Sequence, residues 1–153
     1  MLKTYIAAIV IVLIAACGSD SEDRTNGYSD TPKTTEDSLF QQVMDGHDEA
    51  MAKMGKLRGY SKQVDQKIDS LGKLKGSATR GILDAYGTLK NELTTAEAGM
   101  NKWMEDFKID SAQDDIPKRI EYLEDEKKKV EQVREQILSV LSKADTLLAP
   151  PAK

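Results

Sequence analysis

Between Phe40 and Leu71 the apolar or small residues fall at Phe40, Val43, His47, Ala50, Met54, Leu57, Ser61, Val64, Ile68 and Leu71, in alternating steps of three and four. That is the period of a helix burying one seam against other helices. His47 and Ser61 are its polar members. A second seam of the same period reads Ile82, Tyr86, Leu89, Leu93, Ala96, Met100, Trp103 and Phe107. A third reads Ile116, Ile120, Leu123, Lys127, Val130, Arg134, Ile137, Leu141, Ala144 and Leu148, widened late by Val133, Val140 and Leu147.

Punctuation between the seams sets the ends. Thr34, Thr35 and Asp37 are competent N-caps, and Glu36 and Asp37 suit the positive end of the helix dipole. Gly76, with Lys73 and Lys75 before it, stops the first helix, and Ser77 or Thr79 caps the second. The polar run Lys108 to Asp115 follows, then Asp114, Asp115 and Pro117 open the third helix. Pro150 and Pro151 end it. The pattern therefore predicts helices over about 37–75, 78–107 and 116–148, within a folded region 37–149 and before a short tail, 150–153. Short connections make sequential helices antiparallel neighbours, so the expected fold is all-α, an elongated antiparallel three-helix bundle of up-down-up order with coiled-coil-like packing. One long dimerising helix is the alternative, and the Gly76-Ser77 break and Pro117 argue against it; self-association of the bundle stays open. Gly46, Gly55, Gly59, Gly72, Gly81, Gly87 and Gly99 lie inside helices, each at about 1 kcal/mol against alanine, so the expected stability is ordinary. Gly55 and Gly59 are flanked by Lys56 and Arg58, and their spacing reads as incidental.

Ahead of the seams the pattern changes character. Lys3 precedes an uninterrupted apolar run of twelve, Tyr5 to Ala16. As a helix that run spans about 18 Å, short of the ~30 Å of a bilayer's hydrocarbon, so residues 1–16 read as an export signal and not a transmembrane anchor. It ends Ile14-Ala15-Ala16-Cys17, which resembles the lipobox of bacterial lipoproteins. The resemblance implies diacylglyceryl transfer to the Cys17 sulfur, cleavage before Cys17 and acylation of its amino group. Cys17 is the single cysteine, so no intramolecular disulfide can form, and a thioether to lipid removes the thiol from an oxidising compartment. At about 0.8 kcal/mol per buried methylene, two or three acyl chains anchor a protein stably. Residues 17–36 are then an acidic tether, too poor in apolar side chains to offset their ordering entropy. The segment Cys17-Gly18-Ser19-Asp20-Ser21-Glu22-Asp23 resembles the acidic export signal of surface lipoproteins of Bacteroidota; a plain solvated linker is the other reading. The expected place is the cell envelope, with the outer membrane favoured and its face undecided.

Charge narrows the partners. Residues 18–38 hold six acids against Arg24 and Lys33, while the chain after residue 38 carries 20 acids and 19 bases. With no basic stripe interleaved with aromatics, nucleic acid is not an expected partner. One histidine, a lipidated cysteine and no Gly-rich phosphate loop leave an enzyme poorly supported. Asp114-Asp115 reads as a cap, and Glu124-Asp125-Glu126 as a solvated face beside Lys127 to Lys129; Lys127 and Arg134 are expected to pack their stems at the seam with the heads in water, an anion site being the less favoured reading.

A turn at Gly76-Ser77 pairs residues whose numbers sum to about 153, so Leu71 meets Ile82 and Ala50 meets Trp103. Met44, Met51, Met54, Met100 and Met104 then share one end with His47, Trp103 and Phe107. Two functional readings follow. Met44, His47 and Met51 put two thioethers and an imidazole on one helical face, a donor set suited to Cu(I) or Ag(I), and the spacing is similar to that of periplasmic copper and silver handling proteins. Alternatively Met54, Met100, Trp103 and Met104 form an adaptable surface for another envelope protein. Plain core packing competes with both. The stretch Met44 to Gly55, with the lipoprotein signal, resembles small helical lipoproteins of Bacteroidota that carry a "viral A-type inclusion protein" label, which implies no activity. The reading of the whole chain is a lipid-anchored structural or binding module without cofactors, soft-metal binding being the alternative.

Overall fold

The computed structural model describes residues 34–74 and 76–149. The expected export signal, Cys17, residues 17–33 of the expected tether and the tail 150–153 lie outside them; the last three tether positions are corrected, since Thr34 caps α1 and Thr35 and Glu36 form its first turn. Three helices are present, α1 (Thr35–Gly72), α2 (Ser77–Asp106) and α3 (Ile116–Leu148), and each packs against the other two as an all-α three-helix bundle.

The helix ends follow local chemistry. Thr34 caps α1 in a reciprocal capping box: its hydroxyl accepts from the Asp37 N–H at 3.1 Å, and the Asp37 carboxylate accepts from the Thr34 N–H at 3.2 Å. Asp115 caps α3, accepting from the Lys118 N–H at 3.3 Å, with Pro117 in the first turn where a missing N–H costs nothing. The start of α2 departs from expectation. Its N-cap is Gly76, neither Ser77 nor Thr79, and no side chain accepts from its first turn. α1 stops at Gly72, a few residues earlier than the Gly76 signal suggests, with Lys73 as its C-cap.

Interhelical pairs fix the register in steps of seven residues, the repeat of knobs-into-holes packing. Arg58 of α1 meets Glu97 of α2, and seven residues on, Asp65 meets Lys90, so these helices are antiparallel. Gln42 accepts from Lys127, and seven residues on Glu49 meets Arg134, so α1 and α3 run the same way. That is up-down-up. The α1–α2 register lies two residues from the expected pairing.

Most of the predicted seams are the core. Val43, Ala50, Leu57 and Val64 of α1, Leu93, Ala96 and Met100 of α2, and Leu123, Val130, Ile137 and Ala144 of α3 are fully enclosed. Gly46 is core as well: a Cβ there would stand 3.1 Å from Val130 Cγ1, so this glycine sets how closely α1 and α3 approach. Gly55 and Gly59 would meet nothing within 4 Å, as an incidental spacing requires.

Three corrections concern the seams. Ile116 is 51% exposed: the buried line of α3 begins at Arg119, not at Ile116. Ile82 is 46% exposed, because α3 gives out near this level: Tyr86 reaches the Leu147 carbonyl, and beyond it the described residues of α1 and α2 continue as a two-helix hairpin. Arg119 and Glu126 are 3% and 4% exposed and share the buried line of α3 with Leu123 and Val130, whereas Lys127 and Arg134 stand half-buried beside it. Glu126 is thus not part of a solvated acidic face.

Candidate functional site

The half of the bundle nearest Thr34 holds a continuous column of rings. His47 lies 5.6 Å from Trp103; Trp103 stacks on Phe107 at 5.0 Å, and Phe107 contacts Tyr122 at 6.1 Å and Phe40 at 6.3 Å. All three helices contribute, so the column exists only in the folded chain. Its upper end is closed by a buried cation. The Arg119 guanidinium stands 5.8 Å from the Phe40 ring centre and 6.0 Å from that of Tyr122, pairs with Glu36 at 3.1 Å, and donates to the Ser111 carbonyl at 2.9 Å. An enclosed charge needs such partners, because desolvation disfavours it otherwise. Burial pushes the Tyr122 hydroxyl above its ordinary pKa, against the hydrogen bond that it accepts from the Lys108 N–H at 2.7 Å.

The lower end of the column opens to solvent at His47, whose side chain is 20% exposed and whose Nδ1 lies 2.8 Å from Asp48 Oδ1. With Nδ1 held, Nε2 is the nitrogen left for a ligand. Met44 is half-buried, and Met51 is 36% exposed. The register then explains a neighbour from α2. Asp65–Lys90 and Arg58–Glu97 are successive steps of the α1–α2 ladder, and the next step places Met51 opposite Met104. Met104 is 37% exposed, so two thioethers stand where the ladder carries charges.

The predicted residues therefore divide. Met44, His47 and Met51 lie along one side of α1, joined by Met104. Met54 and Met100, at 2% and 0% exposure, are enclosed in the core and present no surface, and Trp103 at 6% presents little. The Trp103 Nε1 is buried without a hydrogen-bond partner, as is Glu126 Oε2. Among the described residues no group of three or more His, Cys, Asp or Glu is arranged to hold a metal ion. Lys127 and Arg134 do not converge on an anion: Lys127 donates to Gln42 at 2.6 Å, and Arg134 pairs with Glu49 at 3.0 Å.

Sequence reasoning missed Arg119 and Glu126. Hydrophobic periodicity cannot mark a charged core position, and the apolar Ile116 and Ile120 pulled the inferred seam to the neighbouring face. The available signal was the spacing Arg119, Leu123, Glu126, Val130, itself four, three and four. Comparison with profiles of known families, with curated proteins and with solved structures finds no match to this chain.

Proposed function

We propose that this chain is a lipid-anchored cell-envelope protein whose bundle acts as a structural or protein-binding module. The anchor rests on Cys17 behind its apolar run. The observation that carries the binding role is the break in the α1–α2 ladder, where Met51 and Met104, each about a third exposed, replace an ion pair beside the His47–Trp103 contact. Flexible thioethers adapt to a partner's apolar side chains at little cost. Two measurements test the two halves. Mass spectrometry of the protein from its native cells should find Cys17 amino-terminal and acylated, and a Cys17→Ala variant should leave the membrane fraction; an unmodified, uncleaved chain refutes the anchor. Cross-linking in intact cells should give a discrete adduct that Met51→Glu Met104→Glu abolishes and Lys53→Glu keeps. An adduct indifferent to the methionines refutes this surface.

A second reading is favoured by one feature of the same place. The Asp48 carboxylate on Nδ1 orients the His47 ring so that Nε2 is the ligating atom, the arrangement that supports metal-bound imidazoles. Met44, Met51 and Met104 would supply the soft donors for Cu(I) or Ag(I). Titration with Cu(I) against His47→Ala Met51→Leu tests it, and equal uptake by both proteins removes it.

A further inference from the structure

The opposite end of the bundle has a different chemistry. α1 has 38 residues, so the hairpin joining it to α2 stands about 57 Å along the helix from Thr34. In this half Lys56, Arg58, Lys90 and Lys143 each hold a carboxylate. Lys62, Lys67, Lys73 and Arg80 are exposed and form no ion pair among the described residues. The nearby acids are Asp69 and Asp84, since Asp65 is engaged by Lys90. Between these bases large apolar side chains face outward: Leu74 is 59% exposed and Ile82 46%. Ile82 also lines, with Leu71 and Tyr86, an open groove of about 570 Å³ where α3 has given out.

We infer that this hairpin tip is a docking surface for an anionic lipid bilayer. Unpaired ammonium and guanidinium groups meet phosphate headgroups, while Leu74 and Ile82 reach the boundary of the acyl chains. The contact is peripheral, because no helix of the described residues is long and apolar enough to cross a membrane. The end away from the tip exposes Asp110, Asp114, Glu121 and Glu124 at the α2–α3 connection and the start of α3, where Asp115 pairs with Lys118 and Asp125 with Lys129. The inference is independent of Cys17, since the tip sits on α1 and α2 alone.

The test uses Thr31–Lys153, a compact unit whose core is drawn wholly from the three helices and which carries neither the apolar run nor Cys17. It is sedimented with vesicles of phosphatidylcholine alone and with phosphatidylglycerol added, at low and high salt. The expected result is binding to the phosphatidylglycerol vesicles only, weakened by salt. Lys67→Gln Lys73→Gln Arg80→Gln should weaken it roughly a hundredfold, and Leu74→Ser Ile82→Ser should lower it further while helical circular dichroism is unchanged. No binding, equal binding to both vesicles, or binding indifferent to the triple variant overturns the proposal. So does a salt-sensitive dimer in sedimentation velocity that the triple variant dissolves while vesicles stay unbound, which would assign the tip to the acidic end of a second copy.

Discussion

Removing the partner of Arg119 should harm the fold more than removing Arg119 itself. The Arg119 side chain is 4% exposed, its partner Glu36 28%. Glu36→Gln leaves an enclosed guanidinium with the Ser111 carbonyl and two ring faces but no countercharge. Breaking a buried pair in this way costs about 3–5 kcal/mol, and the part-exposure of Glu36 lowers the expectation to about 2–3. Arg119→Met keeps an unbranched stem to pack on Phe40 and Tyr122, frees Glu36 to hydrate and orphans one carbonyl, for about 1 kcal/mol. The double variant Glu36→Gln Arg119→Met should then be more stable than Glu36→Gln alone, a coupling that the two single losses cannot produce independently. Urea unfolding followed by far-ultraviolet circular dichroism measures all four proteins. At about 4 °C per kcal/mol for a domain of this size, Glu36→Gln should lower Tm by roughly 10 °C. If Arg119→Met costs more than Glu36→Gln, the residue matters as packing and not as a charge, and this reasoning fails.

Three further outcomes follow from the same structure. Gly55→Ala should stabilise by about 1 kcal/mol, since a helical glycine gives way to alanine in open space, while Gly46→Ala should gain nothing until Val130→Ala removes the methyl 3.1 Å from its Cβ; a full gain at Gly46 in the native background in thermal melts would contradict the close α1–α3 approach. Ala112 has φ 55°, the left-handed region, so Ala112→Gly should raise Tm by a few degrees, and a lowered Tm would show that its methyl is needed. Asp145 is held below the ordinary 3.8 by the hydroxyl of Tyr60 first and by Lys56 second, so its contribution is present above that value and lost as pH falls through the folded one. Tm measured from neutral pH into acid should fall less steeply in Asp145→Asn; parallel curves would show that this contact does not help drive the acid transition.

Much of the bundle was written locally. Steps of three and four along α1, α2 and α3 give amphipathic helices whatever surrounds them, and Thr34, Asp115 and Pro117 mark boundaries because caps and missing N–H groups act within one turn. The same period placed His47 and Trp103 at one end of the bundle, although the register inferred from the turn, with Ala50 opposite Trp103, lies two residues from the one found. What the chain could not state alone concerns positions where three helices meet. Arg119 is a core residue only because other elements supply Glu36, Phe40 and the Ser111 carbonyl, while the buried Glu126 is held by Lys129 of its own helix, and a count of apolar side chains passes over both. Gly46 reads like Gly55 until Val130 comes within reach. Ile82 belongs to a perfect seam and is half exposed all the same, because α3, whose length is decided elsewhere in the chain, ends near its level and does not cover it. Periodicity determined which face of each helix is apolar; which of those faces is covered depends on where the neighbouring helices begin and end, and that only the packed structure decided.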